Sequence, residues 1–135
     1  MKQKRIVSMI GALVLIISAV VLITGCPKAN NNNGKVVDKA VYVAQMDDNG
    51  TTITITMTFK ADGTFMCRET MGNASVVMMQ GTYTGDPSKD GAITITVKKR
   101  AQPGGTLVDE ANPTPKNITI SGGKLSFEGI DFIRQ

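Results

Sequence analysis

Histidine is absent from all 135 residues, and tryptophan is absent with it. Without an imidazole, Ser-His-Asp and Cys-His catalysis are closed off, and so are His-based zinc centres. No Walker loop and no dinucleotide fingerprint occurs in the chain. Aromatic residues make up only 4% of it, so aliphatic and methionine side chains must fill any core. Cysteine occurs twice, at Cys26 and Cys67. A charge excess is missing too, although the formal net charge is +4. Three of the cations are Lys2, Lys4 and Arg5; beyond residue 25, 12 Lys and Arg face 11 Asp and Glu. A near-neutral chain offers no basic face for phosphates, so nucleic acid is not an expected partner.

What the chain does have is one long apolar run. Residues 6–23 carry no charge, follow the three basic residues, and end in Leu22-Ile23-Thr24-Gly25-Cys26. A basic start, an apolar stretch and small residues before a cut site make a secretory signal. The segment resembles the lipobox of bacterial lipoproteins. That resemblance implies cleavage between Gly25 and Cys26 and a palmitate-type lipid anchor on Cys26. One acyl chain binds a membrane marginally and a second makes the anchor stable. The competing interpretation is a transmembrane helix, since 18 residues lie at the lower edge of spanning length. No basic stop-transfer cluster follows the run, and the lipobox spacing is specific. Pro27 follows the cysteine where an inner-membrane retention signal would place Asp. The expected location is therefore the cell envelope, lipid-anchored, with the outer membrane favoured.

The chain divides into a signal peptide (residues 1–25), a lipidated Asn-rich tether (26–38) and one domain (39–135). Residues 27–35 have no apolar periodicity and bury nothing. Residues 27–38 span at most about 40 Å when stretched and average about 20 Å as a coil. With Cys26 lipidated, Cys67 has no disulfide partner within the chain. The fold is then held by burial alone.

Beyond the tether the pattern is β throughout. Residues 52–59 alternate strictly, placing Ile53, Ile55, Met57 and Phe59 on one face and threonines on the other. Residues 92–97 repeat the pattern with Ile93, Ile95 and Val97 inward. Weaker strands are expected at 41–46, 64–70, 75–84, 117–121, 124–127 and 130–134. Asn49-Gly50 and Asp62-Gly63 are tight-hairpin signals, and Gly72-Asn73, Asp86-Pro87, Asp90-Gly91, Gly122-Gly123 and Glu128-Gly129 supply further turns. The expected fold is all-β, an antiparallel meander of about eight strands, closed into a small barrel or folded as a β-sandwich. No amphipathic helix is expected. Residues 100–116 interrupt the rhythm with three prolines and a Gly pair. That loop is either a surface excursion or a contact loop, with a short strand at 106–108.

Candidate chemistry is sparse. Glu69, Glu110 and Glu128 can in principle form an acid/base pair with an aspartate, but Asp47, Asp48, Asp62, Asp86 and Asp90 all sit at turns. The spaced ligands of a calcium loop are missing. Neither an enzyme nor a bound cofactor is expected. Sulfur is the exception: Met66 and Cys67 lie on one strand, Met78 and Met79 on the next. A three-residue loop at 72–74 would face Met71 with Ser75, Cys67 with Met79 and Phe65 with Gly81. A thiolate with thioethers suits Cu(I), while plain packing is the alternative.

The segments 58–65 (Thr-Phe-Lys-Ala-Asp-Gly-Thr-Phe), 81–84 (Gly-Thr-Tyr-Thr), 93–96 and 120–127 are similar to small bacterial lipoproteins with lipocalin-like β-barrels. Two features of relatives are missing: the Cys-x-x-Cys of copper-resistance members and the Gly-x-Trp of lipocalins, whose nearest analogue is Gly81-Thr82-Tyr83. Two functions remain. One is an envelope interaction or structural module meeting a protein partner. The other is a barrel that holds a small apolar ligand or peptide, with Phe65, Tyr83 and the 100–116 loop as its lining.

Overall fold

The computed structural model describes residues 36–135; the expected signal peptide, the Gly25–Cys26 junction and the expected tether up to residue 35 lie outside the described residues. The described chain forms nine strands and no helix. They are β1 (Asp38–Asp48), β2 (Thr51–Lys60), β3 (Thr64–Met71), β4 (Ala74–Thr84), β5 (Gly91–Ala101), β6 (Leu107–Asp109), β7 (Lys116–Ile120), β8 (Lys124–Phe127) and β9 (Ile130–Arg134).

All pair antiparallel in a single sheet of order β6-β5-β4-β3-β2-β1-β9-β8, with β7 pairing β5 as a branch. One sheet rather than two replaces the sandwich alternative. The branch exists because β5 is long enough for two partners. Its first half runs beside β7, from Gly91↔Ile120 to Ile95↔Lys116. Its second half takes β6, from Lys99↔Asp109 to Ala101↔Leu107. The sheet curls so that its two ends are linked by the β7–β8 turn, in which Ser121 and Lys124 exchange two backbone hydrogen bonds of 3.0 Å. The meander thus becomes barrel-like, with one loosely joined seam.

Alternation dictates what the curl encloses. Ile53, Ile55, Met57 and Phe59 of β2 are each at most 2% exposed, while the threonines between them face outward. Tyr42, Phe65, Ile95, Ile120, Leu125 and Phe132 fill the same interior. Phe59 anchors an aromatic cluster, edge-on to Tyr42 at 5.8 Å and to Tyr83 at 5.0 Å between ring centres. Such edge-to-face pairs add to the burial that drives folding.

The turns sort onto two ends. The start of β1 shares one end with the loops at 61–63, 85–90 and 121–123; the loops at 49–50, 72–73, 102–106 and 128–129 occupy the other. Pro87 plugs the first end, where the buried Tyr42 hydroxyl donates to its carbonyl at 2.6 Å. Asn49-Gly50 makes the expected two-residue turn, with φ of 49° and 81°. Asp62-Gly63 does not. The loop there is Ala61-Asp62-Gly63, and Asp62 instead accepts hydrogen bonds from the Thr64 amide and hydroxyl. A side chain that bonds its own backbone two residues on builds a turn by itself.

Candidate functional site

The inner faces of β2, β3 and β4 carry the only concentration of sulfur and buried charge among the described residues. Cys67 lies opposite Met57 on β2 and opposite Met79 on β4. One step toward the β3–β4 turn, Glu69 lies between Ile55 and Val76. One step the other way, Phe65 lies between Phe59 and Gly81. Gly81 is required there, since a Cβ would stand 2.0 Å from the Thr96 carbonyl oxygen and 2.8 Å from the Phe65 ring.

The register reaches these pairs by a different route from the expected one. The β3–β4 turn has two residues, Gly72-Asn73, so Met71 faces Ala74 and Thr70 faces Ser75. That register alone would put Met78 opposite Cys67. A bulge between Cys67↔Met79 and Arg68↔Val77 leaves Met78 unpaired and restores the offset. Met78 packs with Val76 in a small satellite cluster against Met71, Ala74 and Ala101. Met66 is on the opposite face from Cys67 by strand parity, with the Arg68 guanidinium 3.6 Å from its sulfur. Of the expected sulfur set only Cys67 and Met79 come together, and Met57 joins them.

Cys67 is 3% exposed. Burial pushes its thiol up to about 12, helped by the nearby Glu69 charge and opposed by Arg100. A thiol held protonated is a poor nucleophile. Glu69 is the single buried charged residue of the core, fully inaccessible, and both its carboxyl oxygens lack a hydrogen-bond partner. Burial alone raises its pKa to about 7. A buried polar group without a partner is rare and costly. The sequence marks Glu69 only as an acid/base candidate; on β3 it shares the inward parity of Phe65 and Cys67. That it meets no donor there is a tertiary fact.

Glu110, Glu128 and Asp86 each have partners. Arg100 binds Glu110 at 2.6 Å and Glu128 at 3.5 Å, and Lys116 reaches the same Glu128 oxygen at 2.5 Å. Burial opposes the Glu128 charge, but Lys116 and Arg100 hold its pKa below the ordinary value. Glu110 and Glu128 therefore share a cation, and Glu69 is placed apart from them on β3. Asp86 is held down to about 2 by the Ser88 hydroxyl and amide. Among the described residues no three His, Cys, Asp or Glu side chains form a metal-ligand cluster.

Phe65 and Tyr83 both belong to the packed core. The Tyr83 hydroxyl donates to the Lys60 carbonyl at 2.6 Å. Phe65 also borders a groove of about 290 Å³ whose rim carries Lys60, Lys98 and Lys99. The segment expected as a loop at 100–116 is tied down in its first part. β5 continues through Ala101, the short strand forms at Leu107–Asp109, and the Glu110 amide donates to the Lys98 carbonyl at 2.8 Å. Gly25 and Cys26 lie outside the described residues.

No family model, no curated protein and no solved structure matches the chain.

Proposed function

We propose that this chain is a bacterial envelope lipoprotein, cut before Cys26 and held to the membrane by lipid on that sulfur. Its β domain is then a non-enzymatic interaction or structural module. The observation that carries this is Leu22-Ile23-Thr24-Gly25-Cys26 at the end of an uncharged run preceded by Lys2, Lys4 and Arg5. The fold supports a simple geometry. β1 begins at Asp38, at the end plugged by Pro87, so a tether from Cys26 reaches that end. The turns at 49–50, 72–73 and 128–129 and the loop at 102–106 then point away from the membrane, toward a partner.

Interior filling favours a partner over an enclosed apolar ligand. Tyr42, Met57, Phe59, Phe65 and Phe132 occupy the space where a lipocalin-like ligand would sit. Metabolic labelling with a palmitate analogue tests the anchor: wild type takes the label and Cys26→Ala does not. Label retained in Cys26→Ala removes the proposal. Native mass spectrometry of material taken from membranes tests the module, which should carry acyl mass on its N-terminal cysteine and no co-purifying apolar small molecule.

A further inference from the structure

We propose that the inner-face row Met57–Cys67–Met79 binds one soft monovalent d10 cation, of the copper(I) or silver(I) class, with a Glu69 carboxyl oxygen facing the ion. The three sulfur residues lie directly across from one another on β2, β3 and β4. Side chains so paired have Cβ atoms about 5 Å apart, within reach of a shared ion for a thiol and two flexible thioethers. Thiolate and thioether donors select soft cations, and three of them suit a low-coordinate d10 ion.

A row of sulfur by itself is also what packing uses to fill an aromatic-poor core. Glu69 is the second observation. It is one inward position along β3 from Cys67, fully buried, and neither of its oxygens has a partner. Its neighbours Ile55 and Val76 offer no donor. An orphaned carboxyl beside a thiol is the arrangement that a bound cation would satisfy. Binding is a ligand exchange without redox change: the Cys67 S–H bond breaks, a sulfur–metal bond forms, and the proton leaves to the solvent buffer. The product is a metal–thiolate unit in which the thiolate offsets the charge of the ion, which suits an apolar interior. Met46 and Met71, which flank Ile53 in the same inward tier, are only partly buried at the end away from Pro87. The inference is independent of lipid attachment.

The test is anaerobic titration of copper(I) into the full chain in detergent, against a coloured copper(I) chelator. The chain carries Cys26→Ser, so that Cys67 is its one thiol. One ion per chain is expected to be retained. Cys67→Ser should abolish retention, and Met57→Leu and Met79→Leu should each weaken it at least about tenfold. Met66→Leu should leave it within about twofold, because Met66 lies on the opposite face of β3. No retention by the parent chain, or equal retention by Cys67→Ser, overturns the site. Should Cys67→Ser not fold, as judged by circular dichroism, the methionine variants decide: unchanged affinity in both Met57→Leu and Met79→Leu overturns it as well.

Discussion

Glu69 concentrates the energetic tension of this molecule in one side chain. Its folded pKa of about 7 stands above the ordinary 4.5 because burial penalises the carboxylate. A group whose pKa rises on folding contributes stability that is complete below its unfolded value and lost as pH climbs through the folded one. Between pH 4.5 and pH 7 the metal-free protein should therefore lose about 3 kcal/mol. Glu69→Gln should flatten that slope and be the more stable protein at pH 8, read from urea midpoints at the two pH values. A wild-type midpoint that does not move between them would show the carboxyl to be solvated or partnered. Gly81 is the opposite kind of residue, needed for what it lacks. Gly81→Ala drives a methyl into the Thr96 carbonyl and the Phe65 ring, and should cost about 3 kcal/mol or more in chemical denaturation. Tyr83→Phe removes only the hydroxyl bonded to the Lys60 carbonyl, with an expected cost of about 1 kcal/mol.

At the scale of the element, the β3–β4 hairpin shows how a turn and a bulge share the setting of register. A one-residue slip in a strand sends every inward side chain to the other face. The Gly72-Asn73 turn creates such an offset and the unpaired Met78 cancels it, so Cys67 and Phe65 still find Met79 and Gly81. Deleting Met78 should then leave those pairs intact, because it removes the residue that pairs with nothing. The loss should be confined to the satellite cluster with Val76, about 2 kcal/mol. Cross-strand amide contacts measured by NMR between Cys67 and Met79 check it; their disappearance would mean that the turn resets the register instead. The sequence carried the two pairs but not their cause. Gly-Asn can open a two- or a three-residue loop, and nothing local marks a bulge between two methionines.

For the whole molecule, closure depends on a few polar ties rather than on a complete ladder. Asp90, in the loop before β5, accepts from the Gly122 amide at 2.6 Å and the Gly123 amide at 3.0 Å, and faces the Arg134 guanidinium at 3.3 Å. It thereby joins the β4–β5 loop to the β7–β8 turn and to the end of β9. Those two amides, with Arg134, hold its pKa below the ordinary 3.8. Its contribution is present above that value and is lost as pH falls through the lowered one. Asp90→Ala should speed amide exchange at Gly122, Gly123 and Arg134 at neutral pH while leaving the β2–β3 core protected. Equal protection at the turn in both proteins would assign the closure to packing alone.

The sequence by itself determined the strands, since side-chain alternation and turn residues are local and written in the order of the chain. Residues 52–59 and 92–97, the glycine turns and even the short strand near 107 were legible for that reason, as was the division of Thr outward and Ile inward. Tertiary structure alone decided which strands meet outside the consecutive hairpins. The pairing of β7 with the first half of β5, the pairing of β1 with β9, and the contact of Arg100 with Glu128 join residues far apart in the chain. No local pattern encodes such meetings, because they follow from how far the whole sheet must curl to cover its apolar face.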